Sequence, residues 1–119
     1  MKKLKYNNKI TEIDNIKFHS RKEAARYSQL KLYEKGGLIK DLRLQVPYQL
    51  IPPMRINGKH QRAILYYADF VYYDTVNKCE VVEDVKGVLT DVFKIKMRLV
   101  KLNYDIDIKI TWHLLNAIR

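Results

Sequence analysis

An apolar run, residues 63–73, and a Val-containing stretch, residues 80–86, stand either side of the polar break Asp74-Thr75-Val76-Asn77-Lys78, and this pairing constrains the fold more than anything else in the chain. Tyr, Val, Phe and Ile fill the first stretch and Val recurs in the second, and a short polar break between two such stretches predicts a β-hairpin. The first run is apolar on both faces, which places it inside a sheet. Gly87 ends the second.

The rest of the chain supplies partners for that hairpin. Ser20-Arg21-Lys22-Glu23 fits a capping box, in which the serine oxygen and the Glu23 carboxylate satisfy free N–H groups at a helix start. Ala24, Tyr27 and Leu30 follow at helical spacing, and Gly36-Gly37 provides a left-handed stop, so a helix is predicted over 21–35. From Leu42 to Leu50 the apolar period is two, with Pro47 indicating an edge or a bulge. Pro52-Pro53 ends that strand, and residues 55–62 read as a basic turn region. Thr90 caps a second helix over 91–102, with Val92, Ile95, Leu99 and Leu102 on its expected buried side. Ile106, Ile108 and Ile110 mark a last strand. The predicted order is α-β-β-β-α-β, an α/β (α+β) domain with helices flanking a central mixed sheet. Residues 17–119 form this single domain, and residues 1–16 are expected to be a flexible arm or an edge strand.

Charge narrows the partners. Twenty-three Lys and Arg against thirteen Asp and Glu give a net charge of +10, an excess usually matched to a polyanion. Nucleic acid leads; an anionic membrane surface and simple solubility are the alternatives. Cys79 is the one cysteine, which excludes an internal disulfide and a cysteine-based zinc cage. The basic N-terminus leads into no apolar run, so neither a signal peptide nor a membrane span is expected, and a cytoplasmic location follows. No amphipathic helix with a large exposed apolar face is expected either.

Asp69 and Asp84 lie within the two hairpin strands, where an ionised carboxylate is costly to bury without a partner. A two-residue turn at Val76-Asn77 pairs Thr75 with Lys78 and sets Asp69 opposite Asp84, with Cβ atoms about 4.5–5.5 Å apart on one face. Lys86, two residues beyond Asp84, projects to that same face. Two acids this close repel unless a cation lies between them. A hard divalent ion such as Mg²⁺ takes oxygen ligands of this kind, and the Val85 carbonyl offers one more. That set suits hydrolysis of a phosphodiester, with the amine steadying developing negative charge. Glu83 points to the opposite face and reads as structural or as an ion-pair partner, and a slip of one residue would exchange the two acids.

Asp69, fourteen intervening residues and then Asp84-Val85-Lys86 in a hairpin followed by a helix resemble the PD-(D/E)XK nuclease superfamily, to which Holliday-junction resolvases, restriction endonucleases and some transposition endonucleases belong. Phe18-His19-Ser20, Glu23-Ala24, Gln45, Tyr67-Ala68-Asp69-Phe70 and Glu83-Asp84-Val85-Lys86-Gly87 resemble, more narrowly, a small phage-type family within it, over roughly residues 17–110. The resemblance implies a restriction-endonuclease-like core, Asp69 and Asp84 as metal ligands, Lys86 as the catalytic amine and Glu23 as an auxiliary ligand. Ala68 departs from the proline of the superfamily's name. Mg²⁺ is the implied cofactor, with Mn²⁺ able to substitute.

Several positions carry two readings. Glu23 is a metal ligand or only a helix cap. Gln45 is an auxiliary group at the site or a satisfied amide at the sheet edge. Arg55, Lys59, His60 and Arg62 in the basic loop, and Lys94, Arg98 and Lys101 along the second helix, form a DNA-binding surface or a solvated one. The expected function is an endodeoxyribonuclease selective for branched or structured DNA in phage recombination or replication, located in the host cytoplasm. Symmetric cutting of two strands would require a homodimer. The alternative is a non-catalytic nucleic-acid-binding module of the same fold.

Overall fold

In the computed structural model, which describes residues 10–112, ten short elements build an α+β fold around one mixed sheet. Strands β1 (Thr11–Ile13) and β2 (Ile16–Phe18) form a small hairpin. Asp14 and Asn15 turn it with φ of +54° and +63°, a conformation that Asp and Asn tolerate better than most residues. Residues 11–16, read as part of an arm or an edge strand, therefore pair locally; residues 1–9 lie outside the described residues.

Helix α1 (Arg21–Lys35) has the predicted bounds. Ser20 Oγ accepts the Glu23 N–H at 3.1 Å, one half of the capping box. Among the described residues the reciprocal bond, from the Ser20 N–H to the Glu23 carboxylate, is not made. Gly37 turns the chain out of the helix at φ +78°.

Four strands make the main sheet, in the order β3 (Ile39–Ile51), β6 (Ile64–Asp74), β7 (Cys79–Lys86) and β8 (Lys109–Trp112). The first three run antiparallel, and β8 lies parallel to β7. A parallel neighbour needs a long crossover, and helix α2 (Asp91–Tyr104) provides it. Pro47 sits on edge strand β3, a position where a sheet tolerates proline. The basic segment after Pro53 is more ordered than a turn region: β4 (Met54–Ile56) and β5 (Lys59–Gln61) form an exposed hairpin.

The helices cover opposite faces of the sheet. Phe18, Ala24, Tyr27, Leu30, Phe70 and Tyr72 pack on the α1 side. Tyr66, Ala68, Val71, Val82, Phe93 and Val100 pack on the α2 side. Strand alternation slips by one at Asp69: Ala68 joins the α2-side core, whereas Phe70 joins the α1-side core. The same slip occurs between Leu44 and Val46 on β3, around Gln45, whose φ is +50°. Asp69 thereby falls in line with Val71, toward α2.

Two expectations fail here. The inward face of α2 is set by Phe93 and Val100, while Val92, Ile95 and Leu102 are 63, 58 and 78 % exposed. Leu99 alone of the expected face is partly buried. The helix carries two apolar rows, and the one holding an aromatic ring faces the sheet. A helix with an exposed apolar face is therefore present. The last strand begins at Lys109. Ile106 and Ile108 still pack into the α2-side core, but Asp105 ends α2 at φ +56° and the next residues serve as the connection to the sheet edge.

Candidate active site

The β6–β7 ladder runs from Asp74 opposite Cys79 to Phe70 opposite Glu83, and one step further brings Asp69 level with Asp84. The connection is a four-residue turn, residues 75–78, closed by Asp74, whose Oδ1 accepts the N–H groups of Val76 and Asn77, each at 2.9 Å. It is longer than the two-residue turn expected from the sequence, yet it has the same midpoint, so the register is unchanged. Past Phe70 the strands part. Instead of a strand carbonyl, the Asp69 side chain takes the next β7 donor, with Val85 N–H to Oδ2 at 2.9 Å. Asp69 Oδ1 accepts from the Gln45 amide at 3.1 Å.

Asp69, Asp84 and Lys86 line one cleft of about 250 Å³ together with Tyr66, Tyr67, Thr90, Val92, Phe93 and Lys96. Asp84 is buried, and Lys86 Nζ lies 2.8 Å from its Oδ2 and 4.2 Å from the centre of the Phe93 ring. The ammonium is thus held between a carboxylate and an aromatic face. Asp84 Oδ2 still has no directed hydrogen bond, which leaves a buried acceptor undersatisfied.

Glu23 occupies the second side of Lys86. A neighbouring cleft of about 390 Å³ is lined by Ser20, Lys22, Glu23, Val85, Lys86, Gly87, Val88 and Thr90. The Lys22 amine lies over Gly87, in the space that an added Cβ would take. Among the described residues no three His, Cys, Asp or Glu side chains close into a group that would hold a metal unaided. Glu23 therefore does not complete a three-acid cage with Asp69 and Asp84.

The acids are electrostatically strained. Burial first, then the Asp84 carboxylate, then Glu23 push the Asp69 carboxyl well above the usual carboxylate range. Glu23 is also raised, by burial and by Asp84, with His19 and Lys86 pulling the other way. Between the ordinary carboxylate pKa and the raised one, the folded chain holds a proton that the unfolded chain has released. Metal-free stability is therefore expected to fall as pH rises through this window, by ~1.4 kcal/mol for each unit of displacement. Asp69→Asn should flatten that dependence and raise the melting temperature at neutral pH. Thermal melts across pH 5–9 check both outcomes, and a variant no more stable than the wild type at pH 8 would contradict them.

On the opposite face of β7, Glu83 is fully buried and ion-paired to Arg26 of α1. Arg26 Nε and Nη2 donate to its two oxygens at 2.6 and 3.0 Å, and the Tyr72 hydroxyl donates at 2.5 Å. Burial alone would raise the Glu83 pKa, but the Arg26 and Tyr72 hydrogen bonds hold it below its ordinary value.

The basic residues divide. Arg55, Lys59 and His60 lie on the β4–β5 hairpin and Arg62 just beyond it, all exposed, and the hairpin leads into Tyr66 and Tyr67 at the cleft. Arg55 also donates to the Gly58 carbonyl within its own turn. Lys94 and Arg98 are exposed on α2. Lys101 is bound to Asp105 and Asp107 at 2.9 and 3.2 Å, which neutralises much of its charge. The α2 lysine at the cleft is Lys96, which the i, i+4, i+7 spacing of Lys94, Arg98 and Lys101 obscured. A helix position three past Phe93 was the signal that would have identified it.

Residues 3–117 match the family model described as Protein of unknown function (DUF1064). No curated protein and no solved structure matches the chain.

Proposed function

The chain belongs to the DUF1064 family, and we propose that this member is a divalent-metal-dependent endodeoxyribonuclease. The observation that carries the reading is the buried Asp69–Asp84 pair in one cleft beside the Lys86 amine, with a carboxylate oxygen left without a directed partner. A hard cation fits this donor set, because Mg²⁺ needs one or two carboxylates and completes its shell with water and substrate oxygens. Asp69 and Asp84 would hold it, with the Val85 carbonyl as a further oxygen donor, while Glu23 stays at the neighbouring cleft on the other side of Lys86. Bound there, Mg²⁺ or Mn²⁺ would neutralise charge on a scissile phosphate and make water a better nucleophile.

The chain's own groups do the rest. Gln45 and the Val85 N–H fix the Asp69 carboxylate. Lys86 is placed to stabilise negative charge that builds up on the phosphate. Lys96 at the cleft and the basic β4–β5 hairpin suit a polyanionic backbone. The resemblance to PD-(D/E)XK enzymes, Holliday-junction resolvases among them, favours branched or structured DNA. Phage-type recombination or replication in the host cytoplasm is the setting in which such an activity would serve. No helix among the described residues is long and apolar enough to cross a membrane. A homodimer would supply two cutting centres, and the exposed row Val92, Ile95 and Leu102 is a surface that a second copy would cover.

The test is a cleavage panel of four-way junction, flap, single strand and duplex, each with Mg²⁺, Mn²⁺ or EDTA. Cleavage of at least one substrate with metal and none with EDTA is expected, together with DNA affinity that falls steeply with salt. Tight binding without cleavage under either metal would favour the non-catalytic module.

A further inference from the structure

Tyr66 is an aromatic residue for which phenylalanine would serve the packing equally well. Its ring stacks on Tyr48 at 6.3 Å and tilts against Phe93 at 6.2 Å, contacts that use only ring carbons. The residue is 4 % exposed, and its hydroxyl has no hydrogen-bond partner. Burying a hydroxyl in this way costs folding free energy. Only three buried side-chain atoms among the described residues share this condition, and a second is Asp84 Oδ2 in the same cleft. The phenol lies close enough to the Asp84 carboxylate for the two to interact. One is a donor without a well-formed bond and the other an acceptor whose one close contact is the Lys86 ammonium at 2.8 Å, so the phenol can serve that carboxylate as a second partner.

Resting on the metal-dependent reading above, we infer that Tyr66 is a positioning residue that donates its hydroxyl hydrogen to Asp84 when that carboxylate carries a divalent cation. A ligating carboxylate with one oxygen on a cation keeps a second oxygen free to accept. Outer hydrogen bonds of this kind orient ligands, and losing one typically weakens metal affinity about 10–100-fold. A phenol carries one hydroxyl hydrogen that it can donate to a carboxylate. In the metal-free protein the hydroxyl makes no hydrogen bond of good geometry, only a weak interaction with the Asp84 carboxylate. Its use is in the loaded site.

The experiment compares wild type, Tyr66→Phe and Tyr48→Phe by Mn²⁺ titration, with free Mn²⁺ read by electron paramagnetic resonance, and by metal-free thermal melts. Tyr66→Phe should melt at or above the wild-type temperature yet bind Mn²⁺ about 10–100-fold more weakly. Tyr48→Phe, in the same ring stack but outside the cleft, should bind Mn²⁺ as the wild type does. Equal Mn²⁺ affinity in Tyr66→Phe and wild type overturns the positioning role and leaves the metal site standing. A Tyr66→Phe melting point well below wild type would also overturn it, by showing that the hydroxyl supports the fold. Wild type that binds no Mn²⁺ overturns this role and the metal-dependent reading together. Mn²⁺ binding that depends on Tyr66 in a protein that cuts no DNA would uphold the role and sink only the nuclease reading.

Discussion

Asp84→Asn and Lys86→Ala are each expected to lower single-turnover DNA cleavage by about 10²-fold or more, with binding to uncleaved DNA in Ca²⁺ within a few-fold of wild type. Asparagine keeps the shape of Asp84 in its buried position and removes the charge that a cation and the Lys86 amine both depend on. Alanine at position 86 removes the ammonium from the gap between Asp84 and the Phe93 ring. Neither change touches the Arg26–Glu83 pair that ties α1 to β7. Both variants should therefore stay folded. Asp84→Asn should melt higher than wild type without metal, since it relieves the repulsion on Asp69. Wild-type cleavage rates in either variant would refute the assignment of the site, whatever substrate is used.

The second large effect belongs to the neighbouring acid. Glu83→Ala is expected to destabilise the protein by ~3–5 kcal/mol, because it strands the Arg26 guanidinium in a mostly buried position with no counter-charge. The Tyr72 hydroxyl loses its acceptor in the same step. Urea unfolding should show a lower midpoint with an unchanged slope, the mark of lost stability without a change in compactness. Replacing both partners, Arg26→Met with Glu83→Leu, should recover most of the loss, since apolar groups of similar volume often match a buried ion pair. If Glu83→Ala unfolds at the wild-type midpoint, the pair is not holding α1 on the sheet.

How much of this could be read from the sequence depends on whether the deciding interaction is local. The bounds of α1 follow from Ser20 and Gly36-Gly37, whose effects act within a turn of the chain. The level placement of Asp69 and Asp84 follows from the midpoint of a hairpin, and it survived an error in the length of the turn because both versions are symmetric about the same point. The orientation of α2 was not legible. Its two apolar rows fit helical spacing equally, and the choice between them is made by the space that the sheet leaves for Phe93. The Arg26–Glu83 bond joins residues 57 apart and has no spacing to betray it. The slip in alternation at Asp69 depends on the left-handed backbone of Gln45, a conformation that no rule of composition assigns to glutamine. The candidate site was thus visible as a pair of acids and an amine. Of its supports, Gln45 was already one of the positions with two readings, and its bond to Asp69 decides between them; Lys96 and Tyr66 became visible only once distant strands and α2 were brought together.

Strand β7 separates two duties by the direction its side chains take: Glu83 toward α1 and the framework, Asp84 and Lys86 toward the cleft. Wear on one side need not spread to the other. A substitution at Asp84 or Lys86 would alter the cleft and spare the Arg26–Glu83 tie, and one at Glu83 would loosen the framework and spare the cleft's charges.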